Sequence, residues 1–183
     1  MSRVKKRDDL MVWIDCEMTG LDPDRHTLIE IATIITDFDL TIINRGPDLA
    51  IKVSPARLKT MDAWPRRAHT KSGLLDRAKT EGVSLTEAER QTVKFIRKYC
   101  KDGSAPLCGN SVWQDKRFIT RYMPGLLDVL HYRIVDVSSL KLLLKHWYPN
   151  RPAPAKIETH RALADIEESI AELQFYRTVL TRS

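Results

Sequence analysis

The sequence predicts an α/β fold: one mixed sheet with helices packed against it. Three observations lead there. The first half of the chain carries short, β-branched apolar runs separated by turn residues. The second half alternates such runs with segments of helical period. The 183 residues suffice for one compact domain and are too few for two ordinary ones. Residues 1–9 read as a flexible N-terminal tail to that domain.

The elements follow in order. Leu10–Met18 (LMVWIDCEM) is a strand whose apolar run is broken by two acids. Leu28–Asp37 (LIEIATIITD) is β-branched and too continuous for a solvated face. Leu40–Asn44 and Leu49–Val53 form a further strand pair, joined by a turn at Arg45-Gly46-Pro47. Short connections make these neighbours antiparallel. Ser84 with Glu87 is a capping-box pattern. It opens a helix with apolar positions at Leu85, Ala88, Thr92, Phe95, Ile96 and Tyr99. Pro106–Cys108 is a short strand ended by Gly109-Asn110, and a helix follows to about Tyr122. Tyr132–Val137 is a strand and Ser138–Trp147 a helix. Pro149–Ile157, with three prolines, is a loop. Thr159 caps the last helix, whose inner stripe is Leu163, Ile166, Ile170, Leu173 and Tyr176.

Composition removes several function classes. Hydrophobic residues make up 43% and charged residues 30%, with only 7 Gly and 9 Pro, which excludes collagen-like and broadly disordered chains. The net charge of +6 is consistent with an anionic partner. Cys16, Cys100 and Cys108 are an odd set without paired spacing and read as reduced thiols. No apolar run reaches membrane-spanning length, and MSRVKKRDDL lacks the apolar core of a signal peptide. The expectation is a cytoplasmic protein with no membrane partner. There is no phosphate-binding P-loop and no G-x-S-x-G nucleophile elbow.

Several acids do not belong in a core. Asp15 and Glu17, two apart on a strand, project to one face, while Val12, Ile14 and Cys16 take the other. Adjacent anions repel, and a divalent cation removes the repulsion. The alternative is an edge strand with solvated acids. Asp115 lies on the apolar stripe of its helix with Phe118 and Ile119, so it faces inward. A buried capping or salt-bridged aspartate would do the same. His160 precedes Asp165 by five residues at the start of the last helix, where both are also ordinary structural choices. Together these four acids and one histidine suit two-metal hydrolysis of a phosphodiester, with His160 taking a proton from water. Oxygen-only ligands favour magnesium or manganese over zinc.

These residues resemble the DEDDh 3′→5′ exonucleases of the ribonuclease H-like fold: Asp15-x-Glu17, Asp115 in mid-chain, and H-x-A-x-x-D at 160–165. Longer words are similar to the oligoribonuclease family within it: WIDCEMTGLD (13–22), MDAW (61–64), HTKSGL (69–74), CGNSVWQDKRF (108–118), HYRIVDVSSLK (131–141) and ELQFYR (172–177). The resemblance runs from about residue 11 to 180. It implies a five-stranded mixed sheet flanked by helices. It implies that Asp15, Glu17, Asp115 and Asp165 hold two divalent ions, Mg2+ or Mn2+, with His160 as general base. The implied substrate is very short single-stranded RNA, dinucleotides above all, released as 5′-mononucleotides. Leu21 and Trp64 match positions that sandwich the 3′ bases; Trp64, next to Pro65, also fits a core tryptophan. Ser111, Arg133, Ser138 and Lys141 match positions that cap the 5′ phosphate, with Tyr132 and Arg133 coming from the partner of a homodimer. Lys141 equally fits a solvated helix charge. Glu30 is a further acid beside the pair, expected to be structural and paired with backbone or a base. Alternative readings are a longer-substrate relative (ribonuclease T-like or proofreading), a non-catalytic RNA-binding module, and a basic RNA adaptor.

Overall fold

A computed structural model describes residues 5–151, 153 and 160–181. Five strands form one sheet: β1 (Leu10–Met18), β2 (Leu28–Asp37), β3 (Ile42–Ala50), β4 (Ala105–Gly109) and β5 (Leu130–Asp136). Their order is β3-β2-β1-β4-β5. β2 runs antiparallel to both of its neighbours, β1 and β3, whereas β4 and β5 run parallel to β1. β1 is therefore the central strand, and the edge-strand reading of its two acids falls away. The alternation predicted for β1 holds, but both of its faces are covered. Val12, Ile14 and Cys16 join the core beneath the helices α4 (Leu85–Tyr99) and α5 (Val112–Tyr122). Met11 and Trp13 pack with Ala32 and Ile34 under α7 (Ala162–Thr181) and α6 (Val137–Trp147).

The predicted strand pair at 40–53 is instead one strand, β3. It pairs with β2 through an irregularity, with Ile34 opposite Arg45 and Ala32 opposite Asp48. Gly46 and Pro47 thus face the single residue Thr33, which is a bulge rather than a hairpin turn. An edge strand tolerates this proline, because no ladder partner needs its missing N–H. The glycine is needed because the Phe95 ring occupies the space a side chain would take. The expected cap of α4 forms only in part. Ser84 Oγ accepts from the Glu87 N–H at 3.1 Å, while the Glu87 carboxylate turns to Arg90 and Gln91.

Three short helices between β3 and α4 have no counterpart among the predicted elements: α1 (Pro55–Lys59), α2 (Ala63–Lys71) and α3 (Leu74–Thr80). They close one end of the sheet, where Met61, Leu74 and Ala78 pack on Ile29 and Ala50. Helix α7 starts at Ala162, so His160 precedes it with φ of 52°. The expected cap Thr159 and most of the expected 149–157 loop lie outside the described residues. Arg7 joins the chain's start to the domain, its N–H donating to the Tyr99 carbonyl at 2.8 Å. The three cysteines are free and buried. Among the described residues, no helix is long and apolar enough to cross a membrane.

Candidate active site

β4 pairs with β1 only at Val12–Leu107 and Trp13–Cys108. Beyond that point β1 outruns its neighbour, and its last residues, Asp15–Met18, border an open crevice. Helix α5 begins across this gap, and Asp115 reaches back to β1, its Oδ1 accepting the Cys16 N–H at 2.9 Å. The Asp115 side chain thus satisfies a strand donor that β4 leaves unpaired. Asp165, one turn into α7, approaches from the opposite layer. Asp15, Glu17 and Asp165 each offer a carboxylate oxygen within 4.8 Å of the others. Strand, helix and helix thus bring distant acids to one point.

A cleft of about 460 Å³ opens over these groups. It is lined by Asp15, Glu17, Asp115, Asp165 and His160, together with Leu21, Trp64 and Ser111. Eight of the sequence-predicted residues therefore share one cavity. Leu21 and Trp64 are 69% and 58% exposed, so Trp64 is not a core tryptophan. Its ring meets His160 edge-on, with centroids 5.2 Å apart. Gln114 holds the Leu21 carbonyl through Nε2 at 2.6 Å.

The other predicted residues lie outside the lining. Ser138 adjoins it through Ser111: the two hydroxyl oxygens are 3.1 Å apart, and Ser138 Oγ also accepts the Ser111 N–H at 2.9 Å. Lys141 is an exposed helix charge, as one reading of the sequence had it, and its ammonium is also 3.2 Å from the buried carboxylate of Glu172. Tyr132 and Arg133 stand on the outer edge strand β5, where the guanidinium lies over the Tyr132 ring at 5.0 Å from its centre. Glu30 is structural, as expected, and bound to two arginines.

Sequence reasoning missed Asn110, Gln114, Glu168 and Ser169 in the lining. It also missed His69, fully buried on α2, with Nε2 2.9 Å from the Met18 carbonyl and Nδ1 3.8 Å from Glu17. His69 lies in the HTKSGL word, but nothing in its spacing places it against β1.

The electrostatics fit a cation. Burial and then the neighbouring carboxylates of Asp115, Glu17 and Asp165 hold Asp15 well above the usual carboxylate range. Burial, followed by Asp165, Glu30 and Asp115, pushes Glu17 up to about 8. Burial raises Asp115 as well, against the lowering effect of the Cys16 N–H. Acids that are this costly to ionise together, all presenting oxygen, suit a hard divalent ion. One consequence is measurable. A carboxyl raised by folding binds a proton more tightly in the native state, so its stabilisation is complete below the unfolded value and is lost as pH rises through the folded one. The Tm of EDTA-treated protein should fall between about pH 5 and about pH 9, and a divalent cation should raise Tm more at the upper end. A flat profile without metal would show that these acids are not desolvated together.

The exonuclease family described as RNase T matches residues 12–173. The oligoribonuclease of Photorhabdus laumondii is 49% identical over 175 residues, covering 95% of this chain and 97% of that protein. That of Yersinia pseudotuberculosis is 51% identical over 168 residues, covering 91% and 93%. Among solved structures, the chain is similar to Escherichia coli exonuclease I in its zinc-bound complex with single-stranded DNA, at a TM-score of 0.73 and 16% identity over 96% of this chain. Exonuclease I of Methylocaldum szegediense gives a TM-score of 0.66 at 17% identity. The chain spans only 42% and 40% of those two proteins, so they attest the ribonuclease H-like fold alone. With half of its residues shared along nearly the full length, the chain belongs to the oligoribonuclease family of exonucleases.

Proposed function

We propose that the protein is a 3′→5′ exoribonuclease that hydrolyses very short oligoribonucleotides, 5′-phosphorylated dinucleotides above all, to 5′-mononucleotides. The observation that carries this reading is the convergence of Asp15, Glu17 and Asp165 within 4.8 Å, on a cleft that also holds Asp115, His160, Leu21 and Trp64. Asp15, Glu17, Asp115 and Asp165 would hold two cations, Mg2+ or Mn2+. When bound, these ions supply charge stabilisation at the attacked phosphate and make a water easier to deprotonate. His160 accepts that water's proton on an imidazole nitrogen. The water oxygen bonds to phosphorus, the P–O3′ bond breaks in line, and the released 3′ oxygen takes up a proton. Leu21 and Trp64, both exposed apolar side chains, grip the bases at the 3′ end by stacking and contact.

Substrate length follows from a cap beside the cleft. Ser111, in the cleft lining, and Ser138 next to it present adjacent hydroxyls. With Lys141, and with Tyr132 and Arg133 from a second copy of the chain in a cytoplasmic homodimer, they would cap a 5′ phosphate. A closed cap leaves a longer strand nowhere to go, and charge-assisted hydrogen bonds reward the phosphate.

The deciding experiment incubates the protein with a 5′-labelled dinucleotide and with a longer labelled RNA, with and without EDTA. Metal-dependent mononucleotide from the dinucleotide, formed faster than from the long strand, is expected. Equal rates on both would favour the longer-substrate relative. No product with metal present would favour the non-catalytic binding module. Arg133→Ala should weaken binding of the 5′-phosphorylated dinucleotide by roughly tenfold to a hundredfold, the scale of lost charged hydrogen bonds. Its effect on the unphosphorylated dinucleotide should be much smaller, and equal losses would remove Arg133 from the cap.

A further inference from the structure

We infer that Glu30 is a positioning residue for the catalytic cleft: from β2 it caps the start of α7 and so fixes Asp165 and the His160–Arg161 backbone against β1. This rests on the functional reading above.

Glu30 is directly opposite Glu17 across the β1–β2 ladder, so the two carboxylates share one face of the sheet. Like charges so placed repel, yet Glu30 has no exposed surface at all. Two guanidiniums resolve the conflict. Arg77 of α3 donates to Glu30 Oε1 at 2.6 Å, and Arg161 Nε donates to the same oxygen at 3.0 Å. The second oxygen, Oε2, accepts the Ala162 N–H at 2.9 Å. Both oxygens are thereby engaged, and Glu30 is absent from the group of acids that could share an ion. The neighbouring pair divides the work: Glu17 faces the cleft, while Glu30 is turned to arginines and backbone.

The contact with Ala162 is where Glu30 acts on the site. Ala162 is the first residue of α7 and is fully buried, so its N–H is one of the helix's orphan donors and water cannot reach it. A carboxylate from 132 residues earlier in the chain satisfies it and complements the positive end of the helix. Arg161, pinned to the same carboxylate, supplies the carbonyl that accepts the Asp165 N–H at 3.0 Å, the first hydrogen bond of the helix. Asp165 thus stands one turn beyond a point that Glu30 holds. His160, next to Arg161, adopts φ of 52°, a conformation that costs energy in most side-chain-bearing residues. An anchored Arg161 keeps that turn in place. The chain of contacts extends to Arg77, which also binds the carboxylate of Asp48 at 2.8 Å and its carbonyl at 2.7 Å. Helix α3 is therefore the far abutment of the clamp.

The test uses Glu30→Gln and Glu30→Ala in the full-length chain. Three quantities are read: amide hydrogen exchange along α7, Mn2+ affinity by calorimetry, and kcat and KM on the phosphorylated dinucleotide. Expected are a loss of exchange protection in residues 162–165 of at least about tenfold and a weaker Mn2+ affinity by about 10- to 100-fold. The fall in kcat should accompany a KM within about twofold of wild type, since Leu21 and Trp64 are untouched. Gln, which keeps an acceptor for Ala162, should be the milder variant and remain folded. The proposal is overturned if the first turn of α7 keeps its protection. It is also overturned if protection falls equally in β1 and α4, or if Mn2+ affinity stays within about twofold of wild type. Exchange and metal binding need no turnover. A wild-type protein that fails to cleave dinucleotides would refute the functional reading, and those two measurements would still decide the role of Glu30.

Discussion

Asp15→Asn abolishes turnover, by at least about a thousandfold, while leaving the metal-free protein at least as stable as wild type. Both halves follow from the surroundings of the carboxylate. In the absence of a cation, Asp15 is desolvated and repelled by Asp115, Glu17 and Asp165, so its charge opposes folding. Asparagine keeps the shape and removes the charge. With cations bound, the same charge is needed, because Asp15 is one of three groups whose oxygens converge within 4.8 Å. Loss of roughly 4 kcal/mol of charge stabilisation at the transition state corresponds to about three powers of ten in rate. The check is a pair of measurements: kcat on a dinucleotide, and Tm in EDTA. Near-normal activity would remove Asp15 from the metal site. Lost activity with a lowered Tm in EDTA would show that it holds the fold instead.

His160→Asn lowers kcat by about 10²–10⁴, the range for loss of a general base, and changes dinucleotide affinity by less than about tenfold. The choice of asparagine matters. At φ of 52° asparagine is tolerated better than alanine, so the backbone before α7 stays as it is. The bound on affinity comes from the edge-on contact between His160 and Trp64, which is the part of the binding surface disturbed. Single-turnover rates and direct binding separate the two effects. A rise in Kd that matches the fall in rate would make His160 a binding residue. No change in rate would leave the proton with another group.

Much of the fold is legible where one residue pattern dominates. β1 and β2 begin and end where their apolar runs do, and α4 buries Ala88, Thr92, Ile96 and Tyr99 on the predicted stripe. Legibility fails where a tertiary contact overrides local punctuation. Gly46-Pro47 reads as a turn, yet it becomes a bulge because β2 continues alongside and Phe95 fills the space over the glycine. Helices α1 to α3 are short, and a few residues facing the end of the sheet hold them there. Periodicity has little to register in such pieces.

The site divides in the same way. Residue identity alone supplies the proposed chemistry: four carboxylates and an imidazole in a spacing that resembles a nuclease family, the oxygen ligands and proton acceptor that metal-assisted hydrolysis would use. The sequence also separates Asp15 and Glu17 from the apolar side of β1, since a strand alternates its faces. Only the folded chain shows that Asp115 satisfies the Cys16 amide that β4 leaves bare, and that Lys141 is paired with Glu172. Only the register, which sets Glu30 opposite Glu17, turns an ordinary acid into the cap of a helix that begins 132 residues later. Local pattern fixes what each side chain can do. Which partners desolvate, neutralise or orient it depends on contacts between segments far apart in sequence, and no spacing along the chain records those distances.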